Sequence, residues 1–166
     1  MAVVTVKSAP ITNRDATPAV LNNPFVDGAR IKHVRGVAAI ANGDSIGSKY
    51  IFGQLPSGAL PISVRVSSPD IGTTTTGHLG LSKNTKDGSA VVDADFFKAT
   101  LSLKDGAISK AEHVMSNVIT IANGEKRIWE HLALTADPFL VYDVVLTLDA
   151  ASDGAGSVLV EIDYVD

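Results

Sequence analysis

The stretch Ser157-Val158-Leu159-Val160-Glu161-Ile162-Asp163-Tyr164 decides the fold. Val158, Val160, Ile162 and Tyr164 occupy every second position, so an extended chain places all four on one face and Glu161 and Asp163 on the other. A helix would scatter the same residues around its circumference. Upstream, Tyr142, Val144, Leu146 and Leu148 keep the same period and line a facing strand, with Asp143 and Thr147 turned outward. The connection Asp149-Ala150-Ala151-Ser152-Asp153-Gly154-Ala155-Gly156 reads as a flexible hairpin loop. Further out, Ile62, Val64 and Val66 alternate with Ser63, Arg65 and Ser67 and predict a third strand with its apolar set toward a core.

The texture from Ala29 onward is uniform with these strands. Short runs of Val, Ile, Leu and Thr are broken by Gly, Asn, Asp and Pro, which favours an all-β sandwich over alternating strands and helices. Strands are predicted at Arg30–Ala39, Lys49–Gln54, Pro61–Ser67, Thr75–Ser82, Ala107–Met115, Val118–Ile121, Val141–Asp149 and Ser157–Val165. Asn42-Gly43, Asp87-Gly88, Asp105-Gly106 and Asn123-Gly124 tolerate positive φ and mark hairpins or tight corners. Two segments fit strands less well. Asp93–Leu103 predicts a short helical turn capped by Asp93 or Asp95, and Lys126–Leu134 predicts another before the Pro138 turn. The expected fold class is an all-β, jelly-roll-like antiparallel β-sandwich over residues 28–166, preceded by an extended N-terminal arm over residues 1–27. Pro10, Pro18 and Pro24 recur in that arm among isolated apolar residues, an arrangement that supports neither a central strand nor a long helix.

Composition narrows the function. The 166 residues fit one domain plus an arm, large enough to bury a core without metal or disulfide. The absence of cysteine excludes thiolate metal sites and cysteine catalysis. No secretory signal and no apolar run of membrane-spanning length is visible, so cytoplasmic synthesis with no membrane partner is expected. Net charge is −4, unevenly spread: residues 1–50 hold six basic and three acidic side chains, residues 101–166 four basic and eleven acidic. That polarity suits orientation against a charged partner. No basic stripe with interleaved aromatics is present, so nucleic acid is not an expected partner.

No motif of the chain carries catalytic chemistry. His33, His78, His113 and His131 show no metal-ligand spacing. Asp93 and Asp95 lack the further oxygen donors and turn glycine of a calcium loop, and capping explains them better. There is no G-x-S-x-G elbow, P-loop or G-x-G-x-x-G. The Thr73–Thr76 run reads as a polar loop entering a strand, and the lone Trp129 as a core anchor, with an interface anchor as the alternative. No catalytic residue, cofactor-binding residue or metal ligand is nominated, and an enzyme is not expected.

A resemblance carries the reading further. Val34-Arg35-Gly36-Val37-Ala38-Ala39-Ile40-Ala41-Asn42-Gly43-Asp44-Ser45 is followed by Ser48-Lys49-Tyr50 and Leu55-Pro56-Ser57-Gly58-Ala59. Gly80-Leu81-Ser82-Lys83, Gly88-Ser89-Ala90-Val91-Val92-Asp93-Ala94-Asp95-Phe96-Phe97 and Asp143-Val144-Val145-Leu146-Thr147-Leu148 continue in the same order. The whole, over residues 30–165, resembles the capsid decoration (cement) proteins of tailed phages. The resemblance implies a jelly-roll-type sandwich that forms homodimers or homotrimers, binds the major capsid protein on the virion exterior, and carries no catalytic residues or cofactor. A tail or head-fibre component and a carbohydrate-binding sandwich are the alternatives. Copy number separates the first from decoration, and a glycan screen the second.

Overall fold

The structure is a computed structural model that describes the chain apart from residues 1–5, 25–27, 86, 87, 89, 105 and 113–122. It divides into two units, Met1–Arg30 and Ile31–Asp166. In the first unit, α1 spans Ala9–Arg14, so the segment expected to be extended contains one short helix. Pro10 sits in the first turn, where its missing N–H costs nothing. No residue of α1 is buried.

The second unit holds eight described strands: β1 Ile31–Ile40, β2 Lys49–Pro56, β3 Leu60–Ser68, β4 Thr76–Lys83, β5 Val91–Ser102, β6 Ile108–Glu112, β7 Val141–Leu148 and β8 Gly156–Val165, with α2 Ile128–His131 before β7. They form two four-stranded sheets, ordered β1-β8-β3-β6 and β2-β7-β4-β5. The antiparallel pairs β1·β8, β2·β7, β3·β6 and β4·β5 are nested. The chain is therefore one long hairpin turned at β4–β5 and rolled up, with β3·β8 and β4·β7 completing the sheets. This is jelly-roll topology, as expected.

The two inner faces supply the core. Val158, Val160 and Ile162 from β8 meet Val144, Leu146 and Leu148 from β7, all buried. The two strands face one another across the core, as expected, but their connection is not a hairpin: β7 and β8 lie in opposite sheets. Residues 149–155 cross between them, and they are tied down. Ser152 accepts from the Gly43 N–H at 2.8 Å and donates its own N–H to the Asp44 carbonyl at 2.9 Å.

Alternation fails in three informative places. Ile62, expected inward, is exposed, because the β3 register shifts between Pro61 and Ser63 and turns it out of the core. Asp143, expected outward, is almost fully buried, because β7 is a central strand covered on its outer side too; Gln54 Nε2 donates to its Oδ1 at 3.1 Å. Asp93–Leu103 forms no helical turn. It lies almost wholly within the 12-residue strand β5, whose register against β4 shifts repeatedly between Thr76 and Ser82. The irregularity lets adjacent Phe96 and Phe97 both be buried, ring centroids 4.9 Å apart and edge to face. Tertiary packing thus overrides the local capping signal at Asp93, whose Oδ1 accepts from the Asp95 N–H at 3.3 Å within the strand. The other predicted turn, at Lys126–Leu134, is α2. The strand expected at Val118–Ile121 lies outside the described residues, as do residues 113–115 of the one expected at Ala107–Met115.

The sandwich is closed along one side where β1 and β2 pass close together. A Cβ on Gly36 would overlap the Phe52 carbonyl oxygen and stand 2.8 Å from Phe52 Cα, so only glycine fits. Gly80 plays the same part opposite the β5 irregularity, where a Cβ would overlap the carbonyl oxygens of Asp93 and Ala94.

Candidate interaction surfaces

One end of the sandwich is knitted shut. Ile71 N–H donates to the Leu103 carbonyl at 2.9 Å and Leu103 N–H to the Thr75 carbonyl at 3.1 Å, joining the β3–β4 and β5–β6 connections. Asp153, in the β7–β8 connection, accepts from the Thr73 hydroxyl at 2.6 Å and from the backbone N–H groups of Thr73 and Thr74 at 2.9–3.1 Å. The threonine run is thus more than a polar entry to a strand: it grips a carboxylate. The Thr73 hydroxyl first, then the two N–H groups, hold the Asp153 carboxyl far below the usual carboxylate range. A pKa lowered by folding adds stability that is fully present above the unfolded value near 4, and is lost as pH falls through the folded value. Asp153→Asn is therefore expected to melt below the parent protein at pH 7, with the gap narrowing as pH is lowered beneath about 4. Thermal melts from pH 7 to 2 check this; a gap that stays constant contradicts it.

The outer face of the β1-β8-β3 sheet carries a charge ladder. Asp163 accepts from Ser63 at 2.9 Å and from Arg65 at 2.8 Å, and lies 2.7 Å from His33 Nδ1. The His33 contact is the largest of the influences that lower its pKa. Arg35 Nε lies 3.7 Å from Glu161 on the same face. Each group has a partner within the sheet, so this face is satisfied rather than poised.

The remaining sequence candidates do not converge. His78 pairs with Asp149 at 2.7 Å on the outer face of the other sheet. His131 packs edge to face on Phe96, and burial lowers its pKa. His113 lies outside the described residues. Asp93 is raised above the usual carboxylate range, by burial first and by Asp95 beside it. Among the described residues no cluster of three or more His, Asp or Glu is placed to hold a metal, and no helix is long and apolar enough to cross a membrane. Trp129 is half-buried, and its buried indole N–H has no hydrogen-bond partner among the described residues.

The opposite end presents what the sequence did not single out. Phe139 is 89% exposed and adopts φ +52°, a left-handed conformation that a bulky side chain rarely takes. It is held there by a clamp. The Ser57 hydroxyl, buried, donates to Asp137 Oδ1, which also accepts from the Phe139 N–H at 2.9 Å. Ser57 Oγ accepts from the Leu140 N–H at 3.1 Å, and Ser57 N–H donates to the Leu140 carbonyl at 2.8 Å. Exposed Leu140 and Val141 follow directly. The Asp137-Pro138 pair was legible as a turn, but a left-handed aromatic after it leaves no signature in the residue order.

Comparisons place the fold. No protein-family model and no curated protein matches the chain. Among solved structures, a chain in the capsid of Ralstonia phage GP4 is similar at TM-score 0.59 and 15% identity, over 84% of this chain and 87% of that one. A chain in the cyanophage Pam1 capsid asymmetric unit aligns at TM-score 0.46 and 19% identity, over 91% and 96%. What this chain shares with the Ralstonia phage GP4 chain is its fold.

Proposed function

We propose that this chain is a virion structural protein that decorates the exterior of an icosahedral phage capsid and stabilises it by bridging major capsid protein subunits. It acts without catalysis or cofactor, as a homo-oligomer made in the host cytoplasm, with residues 28–166 as the body and residues 1–27 as the arm. The observation that carries this reading is the nested eight-strand sandwich, similar in fold to a phage capsid chain over most of both lengths. The ordered motifs between Val34 and Leu148 support it independently.

The physics suits such a part. A rigid sandwich with one end locked by loop-to-loop hydrogen bonds can hold a contact surface without ordering cost. Repeated at many equivalent positions, a modest free energy per site sums over a shell, and binding only the mature lattice stabilises that state by mass action. The test is to add the purified protein to shells of its phage prepared without it. Saturable co-sedimentation and a higher shell melting temperature are expected; shells that neither bind it nor gain stability would overturn the reading.

A further inference from the structure

The chain contains two Asn-Gly pairs in almost the same setting, Ile40-Ala41-Asn42-Gly43-Asp44 and Ile121-Ala122-Asn123-Gly124-Glu125. Asparagine before glycine carries its own chemistry. The following backbone nitrogen can attack the side-chain carboxamide carbon, because glycine has no Cβ to hinder the approach. A C–N bond forms, the carboxamide C–N bond breaks, and the proton lost by the backbone nitrogen leaves with the departing ammonia. The product is a five-membered cyclic imide. Water then opens the ring at either carbonyl, giving aspartate or isoaspartate. Closure has two requirements: the glycine nitrogen must be able to lose its proton, and the backbone must be free to bring it onto the carboxamide.

The fold treats the two pairs differently. The Gly43 nitrogen is committed, since its N–H donates to the Ser152 carbonyl at 2.8 Å and the residue is set at φ +91°. Bonds on either side hold the same turn. Ala41 N–H donates to Asp44 Oδ2 at 2.8 Å, Asp44 N–H to the Ala41 carbonyl at 3.3 Å, and Ser152 N–H to the Asp44 carbonyl at 2.9 Å. Tyr50 fixes Asp44 in turn, its hydroxyl donating to Oδ2 at 2.6 Å. Ring closure at Asn42 has to break the Gly43 bond and rotate a backbone tied at both flanks. At the second pair, Lys126 N–H donates to the Asn123 carbonyl at 3.0 Å, and among the described residues the Gly124 N–H has no acceptor. When the Gly124 nitrogen loses its proton, resonance spreads the charge onto the oxygen of the same peptide group, which is the Asn123 carbonyl oxygen. The Lys126 N–H already points at that oxygen, and a hydrogen bond to a charged acceptor is stronger than one to a neutral acceptor. This turn therefore favours the reactive form, whereas the other withholds it.

We propose that Asn123 is a site of spontaneous modification, converted through the imide to aspartate and isoaspartate, while the fold preserves Asn42. Each event adds a carboxylate to a chain of net charge −4, in a stretch, residues 101–166, that already holds eleven acidic side chains. Isoaspartate also lengthens the backbone just ahead of α2. The proposal does not rest on the capsid reading, and it is tested on the isolated full chain, so either can fail alone. The purified protein is incubated at pH 8 in isotopically labelled water, folded and in urea, then digested and mapped by mass spectrometry at intervals. In the folded protein, label is expected to enter at Asn123 at least about tenfold faster than at Asn42, the factor that breaking one hydrogen bond implies. In urea the two sites react at similar rates, because their neighbours in sequence are nearly the same. Lowering the pH to 6 slows the reaction at Asn123, and so does Gly124→Ala, whose methyl crowds the attacking nitrogen. Equal rates at the two sites in the folded protein overturn the proposal, as does faster reaction at Asn42. A folded Asn123 that stays intact while urea releases both sites overturns it too.

Discussion

Phe97→Ala is expected to destabilise the protein by about 3–5 kcal/mol, the range for emptying a fully buried phenylalanine site. Phe97 has no exposed surface, and its ring meets Phe96 edge to face, so truncation loses both the transfer free energy and an aromatic pair. The cavity cannot close easily. β5 is already displaced from regular register against β4 to bring both rings inside, and Phe96 is committed to its contact with His131. Native domains are stable by roughly 5–15 kcal/mol in total, so the loss is a large share of the whole and the variant should melt lower by roughly 2–4 °C per kcal/mol. Urea denaturation read by circular dichroism measures the loss. A change under about 1 kcal/mol would show that Phe97 is not a core element, and the account of β5 would fail with it.

Gly36→Ala should cost about 3 kcal/mol, the upper end of losses from overpacking. The added methyl meets backbone rather than a side chain able to rotate away: the carbonyl group and Cα of Phe52 occupy its place. Relief requires β1 and β2 to separate along the side where the sheets close, while β1 is paired with β8 along its whole length. Thr100→Ala, on the exposed face of β5, is the comparison and should change stability by no more than about 0.5 kcal/mol. If the two variants melt alike, the strands do not pack as closely as the structure has them.

Those two residues also mark how far the residue order can be read. The strands of the last quarter were legible because one side chain in two is apolar and the opposite set polar, as in Val158, Val160 and Ile162 against Glu161 and Asp163. Their partners were not. A glycine-rich connection between two good strands resembles a hairpin, yet β8 pairs with β1 and β3, and β7 with β2 and β4. In a rolled hairpin the pairing is decided by strands far apart in sequence, which local turn chemistry does not encode. Phe96-Phe97 defeats both periodicities, since neighbours in a regular strand point opposite ways and only an irregular one buries both. The candidate surface was less legible still. Exposure of Phe139 depends on a serine 82 positions earlier, and that relation exists only once the chain has folded.

The proposed shell role requires that the chain be found in purified phage particles, and quantitative mass spectrometry of such particles tests it most directly. The measured quantity is its copy number relative to the major capsid protein. A ratio that is a substantial fraction of one is expected, as a protein seated at repeated lattice positions requires. A handful of copies per particle would contradict decoration and move the chain to a tail or fibre, and its absence would return it to a sandwich with another ligand.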